Sequence, residues 1–186
     1  MIKLKVIVGV TGASGALYAK KIFENIEQLL DQVEDIGVIF SKYAKEVWDH
    51  ELGSDSFDRI PFKTYDPHDF YAPFASGSSG YHAFIICPCS MGTLGRIASG
   101  TSNDLISRAA DVILKERQKL ILVVREAPYN LVHIRNMEHI TQAGGIIFPA
   151  SPSFYDKPKS LDDAADRLTK RILKMVGFNI QTYQWG

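Results

Sequence analysis

The chain has little with which to cross-link itself or to hold a metal. Of its 186 residues only two are cysteine, Cys87 and Cys89. Their one-residue separation strains an intrachain disulfide and supplies half the ligands of a structural zinc site. Both are read as reduced thiols. The five histidines, at 50, 68, 82, 133 and 139, form no His-Glu-x-x-His array, and no Asp-Asp-x-x-Asp stands ready for magnesium diphosphate. Any bound phosphate is therefore expected to be neutralised by protein cations. Net charge is lacking as well: 21 Lys and Arg balance 21 Asp and Glu, so no global field draws the chain to nucleic acid or to an anionic membrane. No segment approaches about 20 unbroken apolar residues, and the opening Met-Ile-Lys-Leu-Lys runs straight into Val-Ile-Val-Gly-Val without a signal core. A single cytoplasmic domain spanning 1–186 is expected, and 46% hydrophobic content suffices for its core.

What the chain does have is alternation. Apolar runs of strand length fall at 4–10, 36–40, 83–87, 120–124 and 145–148, too continuously hydrophobic for half-exposed antiparallel strands. Between them, Leu17, Ile22, Phe23, Ile26, Leu29, Leu30 and Val33 repeat with helical spacing. Further helices are predicted over 42–51, 103–118 and 131–143. The last helix is the clearest, with Ser160 and Asp163 forming a capping-box-like start and Leu161, Ala165, Leu168, Ile172 and Met175 marking its apolar face up to Gly177. The pattern predicts an α/β three-layer sandwich, a doubly wound parallel sheet of the flavodoxin-like (Rossmann-like) kind. The stretch 52–82 breaks it, rich in Phe57, Phe62, Tyr65, Phe70, Tyr71 and Phe74. A loop this long and aromatic is either a lid or the cover of a subunit contact.

In open parallel sheets ligands bind beyond the carboxyl ends of the strands. After the first strand comes Gly9-Val10-Thr11-Gly12-Ala13-Ser14-Gly15, a small-residue turn opening a helix, whose backbone N–H groups and dipole favour a phosphate. After the third come two hydroxyl-rich turns, Cys87-Pro88-Cys89-Ser90-Met91-Gly92-Thr93 and Ser99-Gly100-Thr101-Ser102-Asn103-Asp104. Such turns donate N–H and O–H to ring carbonyls and phosphates, although tight connections use the same residues. The fourth strand exits through Arg125-Glu126-Ala127-Pro128, which sets a cation and a carboxylate at the binding edge. Arg108 and Lys115, seven apart, share one helix face. Arg171 and Tyr155 are positioned to complete a phosphate cradle.

A nicotinamide cofactor suits this inventory less well. A dinucleotide fold wants an acid after the second strand, where this chain has Phe40-Ser41-Lys42. Tyr155 and Lys159 have Tyr-x-x-x-Lys spacing, but Pro158 lies between them in a loop-like stretch, so they share no helical face.

The motifs Gly9 to Gly15, Ala75-Ser76-Gly77-Ser78, Cys87-Pro88-Cys89-Ser90, Arg108-Ala109-Ala110-Asp111, Leu114-Lys115-Glu116-Arg117 and Arg125-Glu126-Ala127-Pro128 resemble, in this order, those of the UbiX-type flavin prenyltransferases, a family also known under the older name of aromatic or phenolic acid decarboxylases. The resemblance runs over nearly the whole chain. It implies that Gly12, Ala13, Ser14, Ser41, Ser90, Met91, Gly92, Thr93 and Arg125 hold FMN. It implies that Arg108, Lys115, Arg125, Glu126, Tyr155 and Arg171 surround the phosphate of dimethylallyl monophosphate, several of them reaching in from neighbouring subunits. Ser14, Glu51, Lys115 and Glu126 are the catalytic residues it implies. Glu51 read without the resemblance is a solvated helix-end acid.

The reaction so implied joins the five-carbon unit to N5 and C6 of reduced FMN as phosphate departs, with no metal. Prenylated FMN then serves a partner decarboxylase of aromatic acids or quinone precursors, and the enzyme assembles as a homododecamer. Phe70 stands where the family often has tryptophan, keeping a π face with less power to stabilise a cation. Three alternatives remain: an FMN-dependent cysteine decarboxylase, whose first-helix histidine and Pro-x-Met-Asn motif this chain lacks; an FMN-dependent decarboxylase of aromatic acids; and a non-catalytic FMN carrier.

Overall fold

A computed structural model describes residues 3–53, 57 and 59–184. In chain order the elements are β1 (Leu4–Val10), α1 (Ala16–Glu27), β2 (Val33–Phe40), α2 (Ala44–Leu52), β3 (Lys63–Tyr65), β4 (Ala83–Cys89), α3 (Met91–Ala98), α4 (Leu105–Lys115), β5 (Lys119–Val124), α5 (Leu131–Gln142), β6 (Ile146–Pro149) and α6 (Leu161–Val176). The strands form one six-stranded sheet in the order β3-β2-β1-β4-β5-β6, and every pairing is parallel. No helix among the described residues is long and apolar enough to cross a membrane.

The apolar runs are continuous because both faces of the sheet are covered. Along β1, Val6, Val8 and Val10 enter the layer shared with α1, α2 and α6, while Ile7 enters the opposite layer with α3 and α4. Each fully buried Val, Ile or Leu contributes roughly 1.5–3 kcal/mol. On β4 the alternation slips at Pro88, where the register with β5 shifts between Ile86 and Cys89. Cys87 and Cys89 consequently join opposite cores, which explains why they do not pair.

Three local expectations are corrected. The first helix stops at Glu27, and the apolar sequence beyond it becomes a single 3-10 turn at Leu30–Gln32 followed by β2, so Val33 is strand. The 52–82 stretch is not one loop. It contains β3, a three-residue edge strand paired with Gly37, Val38 and Ile39. It also packs Tyr65, Phe74 and Tyr81 into the second core, leaving Phe70 46% and Tyr71 fully exposed at its tip. Positions 54–56 and 58 of the stretch lie outside the described residues. Finally, part of the hydroxyl-rich stretch after β4 is helix α3 rather than turn. Ser90 caps it by accepting from the Thr93 amide, and Met91, Leu94 and Ile97 bury one face despite Gly92 and Gly95.

Candidate functional site

Between β1 and β4 the strand order reverses, which opens the crevice where such sheets bind ligands. Thr11, 1% exposed, ties its two rims together. Its N–H and Oγ1 donate to the Pro88 carbonyl at 3.2 and 2.7 Å, and Oγ1 accepts the Ser90 amide at 2.8 Å. This holds the 12–14 turn beside the 90–93 turn. From the next strands, the Ser41 amide donates to Val10 O at 2.9 Å and Arg125 Nε donates to Ser14 O at 3.2 Å. Gly12, Ala13, Ser14, Ser41, Ser90, Met91, Gly92, Thr93 and Arg125 thus gather at the carboxyl ends of four adjacent strands.

This donor set suits FMN. The amides of Gly12, Ala13 and Ser14 have no partner among the described residues, and hydroxyls and a guanidinium surround them. A flavin mononucleotide is rich in the acceptors such groups seek: phosphate oxygens, ribityl hydroxyls and ring carbonyls.

The start of α1 differs from its sequence-based reading. Gly15, the N-cap, sits at φ 115°, a left-handed conformation, and offers no side-chain cap. Glu51, at the end of α2, supplies one from 36 residues away. Its carboxylate accepts the Gly15 amide at 3.1 and 3.0 Å and the Ala16 amide at 2.8 Å. An anion already stands on the positive end of this helix, so a ligand phosphate there meets like charge. The unpaired donors lie just upstream, at 12–14.

Arg96 is a residue that sequence reasoning misses, because the two glycines of its helix read as turn. Its NH2 donates to Thr93 Oγ1 at 3.1 Å and lies 3.6 Å from Asp104 Oδ2, while Nε is buried without a partner among the described residues. Asp104 in turn caps α4 by accepting the Ser107 amide at 2.7 Å. One guanidinium therefore links the two hydroxyl-rich turns.

Tyr155 and Arg171 lie apart from the crevice floor, in a groove of about 900 Å³ along α6. Its upper wall, the chain after β6, adjoins the crevice, since the Ala150 amide donates to Val124 O at 2.9 Å. Arg171 pairs with no carboxylate among the described residues. Tyr155 and Lys159 both precede α6, in non-helical chain, so their dehydrogenase-like spacing has no helical face behind it. Glu126 follows Arg125 and accepts its neighbour Ala127 N–H at 3.1 Å.

Lys115 is elsewhere. It ends α4 at the edge where the strands begin, and the six residues of β5 separate that edge from Arg125 by roughly 20 Å. There it pairs with Glu116, both over Gly77. Arg108, on the same helix face, donates from Nε to Ala75 O at 3.1 Å and from NH1 to Asp111 at 3.0 Å. Phe70 projects from the tip that follows β3. A single chain brings together the crevice residues but not Lys115 with Arg125 and Arg171.

The two thiols are buried. Burial pushes Cys89 up to about 12 and Cys87 higher still. Among the described residues, no three His, Cys, Asp or Glu side chains gather where they would hold a metal ion.

The fold agrees with comparisons to known proteins. The Flavoprotein family profile matches residues 1–174. Flavin prenyltransferase UbiX of Methanocaldococcus jannaschii is 40% identical over 186 aligned residues, covering 98% of this chain and 99% of that protein. Among solved structures, AnUbiX (PadA1) in complex with FMN and dimethylallyl pyrophosphate superposes with a TM-score of 0.91 at 37% identity, covering 99% of this chain and 98% of that one. A dodecameric FMN-dependent UbiX-like decarboxylase from Escherichia coli O157:H7 gives 0.90 at 34%, covering 98% and 100%. The chain is thus a flavoprotein of the doubly wound α/β class. Within that class it belongs to the UbiX flavin prenyltransferase family.

Proposed function

We propose that this protein transfers the dimethylallyl group of dimethylallyl monophosphate to reduced FMN in the cytoplasm, and that the prenylated flavin passes to a partner decarboxylase acting on aromatic acids or quinone precursors. The observation that carries the reading is the full-length likeness, at TM-score 0.91, to a protein solved with FMN and dimethylallyl pyrophosphate. Reduced FMN, as acceptor, supplies the nitrogen and ring carbon to which the five-carbon unit is joined.

The chain's own residues supply the rest. The amides of 12–14, the hydroxyls of Ser14, Ser41, Ser90 and Thr93, the Met91-Gly92 backbone and Arg125 bind and orient the acceptor. Arg171 and Tyr155 take the phosphate, whose allylic C–O bond breaks as its electron pair leaves with the phosphate oxygen. Of the two protons displaced from the acceptor's nitrogen and ring carbon, Glu126 relays one to the departing phosphate and one to the double bond of the five-carbon unit, which is saturated as the second bond forms. Glu51 holds the turn that carries Ser14. Phe70 offers a π face to the developing cation and helps exclude water.

Lys115 lies too far from Arg125 within one chain, so the site is completed by a neighbouring copy in a homododecamer. Because guanidinium and ammonium groups neutralise the phosphate, no metal is required. The cysteine decarboxylase reading has less support, since α1 carries no histidine. The test is release of inorganic phosphate from dimethylallyl monophosphate by the purified protein. Release that depends on reduced FMN and survives chelation supports the reading; no release sinks it.

A further inference from the structure

We propose that Arg167 is a positioning residue for phosphate binding: it ties the Tyr155 loop to α6 and engages the carboxylates of Asp156 and Asp163, so that Arg171 faces the groove with no carboxylate paired to it among the described residues. The proposal rests on the assignment of Tyr155 and Arg171 to the substrate phosphate.

The segment between β6 and α6 has little packing of its own. Phe154 and Tyr155 are 76% and 73% exposed, and Lys157 adopts φ 52°, a left-handed conformation uncommon outside glycine. Tyr155 is carried on this segment. Next to it, the Asp156 side chain is only 6% exposed, and its Oδ2 meets Arg167 NH1 at 2.8 Å. The same NH1 donates to the Asp156 carbonyl at 3.2 Å. The guanidinium's other edge grips α6: Nε donates to Asp163 Oδ1 at 2.7 Å and NH2 to Oδ2 at 3.1 Å. Asp163 closes the circuit by accepting the Lys159 amide at 2.8 Å. One planar fork therefore joins the residue after Tyr155, the last stretch of the loop and the first turns of the helix, which a flexible ammonium does not reproduce.

The second consequence is electrostatic. Arg167 and Arg171 are one helical turn apart and line the same groove. On this helix Lys170 is paired with Asp166 at 2.6 Å, and Lys174 donates to Thr182 at 3.2 Å. Arg167 engages Asp156 and Asp163. Arg171 is left without a carboxylate among the described residues, which is the condition an anion-binding guanidinium needs. The other Asp156 oxygen, Oδ1, is buried and has no partner among the described residues, so Arg167 is the group that offsets the cost of keeping this carboxylate inside.

The experiment measures dimethylallyl monophosphate binding to the FMN-loaded protein by calorimetry, alongside steady-state kinetics. Arg167→Ala is expected to weaken binding and to raise KM by about tenfold to a hundredfold, with kcat within a factor of about three and FMN affinity unchanged. Arg167→Lys should recover part of the loss. Asp156→Ala should weaken binding in the same direction, and the double variant should be no worse than Arg167→Ala alone. Where Arg167→Ala melts below assay temperature, Arg167→Lys carries the measurement: wild-type binding by that variant overturns the proposal. So does wild-type KM in Arg167→Ala, or a fall in kcat alone. Failure of the wild-type protein to bind dimethylallyl monophosphate overturns instead the functional reading beneath it.

Discussion

Glu51 caps the helix that begins at Gly15. Its two carboxylate oxygens take the first amides of α1 at 2.8 to 3.1 Å, and Ser14, immediately upstream, receives Arg125 on its carbonyl. The serine at the centre of the crevice is thereby fixed from both sides, by an anion on the helix and a cation from β5. Glu51→Ala should cost about 1 kcal/mol of stability, as loss of a helix cap does. It should also weaken FMN binding, because the 12–14 amides lose their fixed origin. Glu51→Gln keeps an acceptor and should fall between the two. Denaturant melts and flavin fluorescence titration check this; wild-type values for both in Glu51→Ala would show that the cap holds nothing.

Gly37 allows the Phe74 ring to approach β2 closely. A Cβ at this position would fall well inside van der Waals contact of Phe74 Cε1, and Phe74 is 1% exposed in the second core. Gly37→Ala should therefore destabilise the fold by roughly 1–3 kcal/mol through overpacking. Gly37→Ala combined with Phe74→Leu should regain part of that loss. Thermal denaturation of the two variants decides it.

Cys87 and Cys89 should be inert in the native protein. Both are buried, and desolvation keeps their thiols protonated far above neutral pH. A disulfide-exchange thiol reagent at pH 8 should modify neither residue until denaturant is added. Prompt native-state modification would contradict their burial.

Asp163 has a pH signature of its own. Hydrogen bonds from Arg167 and then from the Lys159 amide hold its carboxyl at about 2, below the ordinary 3.8. A depressed folded pKa contributes stability that is fully present above the unfolded value and lost as pH falls through the folded one. The stability difference between wild type and Asp163→Asn should thus be level above about pH 4 and close by about pH 2. A difference that stays constant through that window would mean the carboxylate is not its source.

Much of the fold is readable in the sequence because both faces of the sheet are buried: five of the six strands announce themselves as apolar runs. β3 does not, since Lys63-Thr64-Tyr65 is three residues long and exposes two of them at a sheet edge. α3 is hidden by Gly92 and Gly95, which mark turns in sequence but here lie in a helix secured by the Ser90 cap. The crevice is legible for a related reason, as small and hydroxylated residues follow the apolar runs of β1 and β4.

What sequence does not supply is the long-range partners. Glu51, Arg96 and Arg167 each look like solvated charges on helices, and their importance lies in which atoms they meet. Those meetings, Glu51 with Gly15 or Arg167 with Asp156, depend on how the helices are laid against the sheet. Lys115 shows the converse. Its motif is readable, but the chain places it at the far edge of the sheet, and in the proposed assembly a second copy brings it to Arg125.

The mass of the flavin itself shows whether the five-carbon unit is transferred. The protein is incubated anaerobically with reduced FMN and dimethylallyl monophosphate, the flavin is extracted, and its mass is compared with that of the starting material. A product heavier by C5H8 should form with the wild-type protein and be greatly diminished with Glu126→Gln or Arg171→Ala. Recovery of FMN at unchanged mass from the wild-type incubation would contradict that transfer.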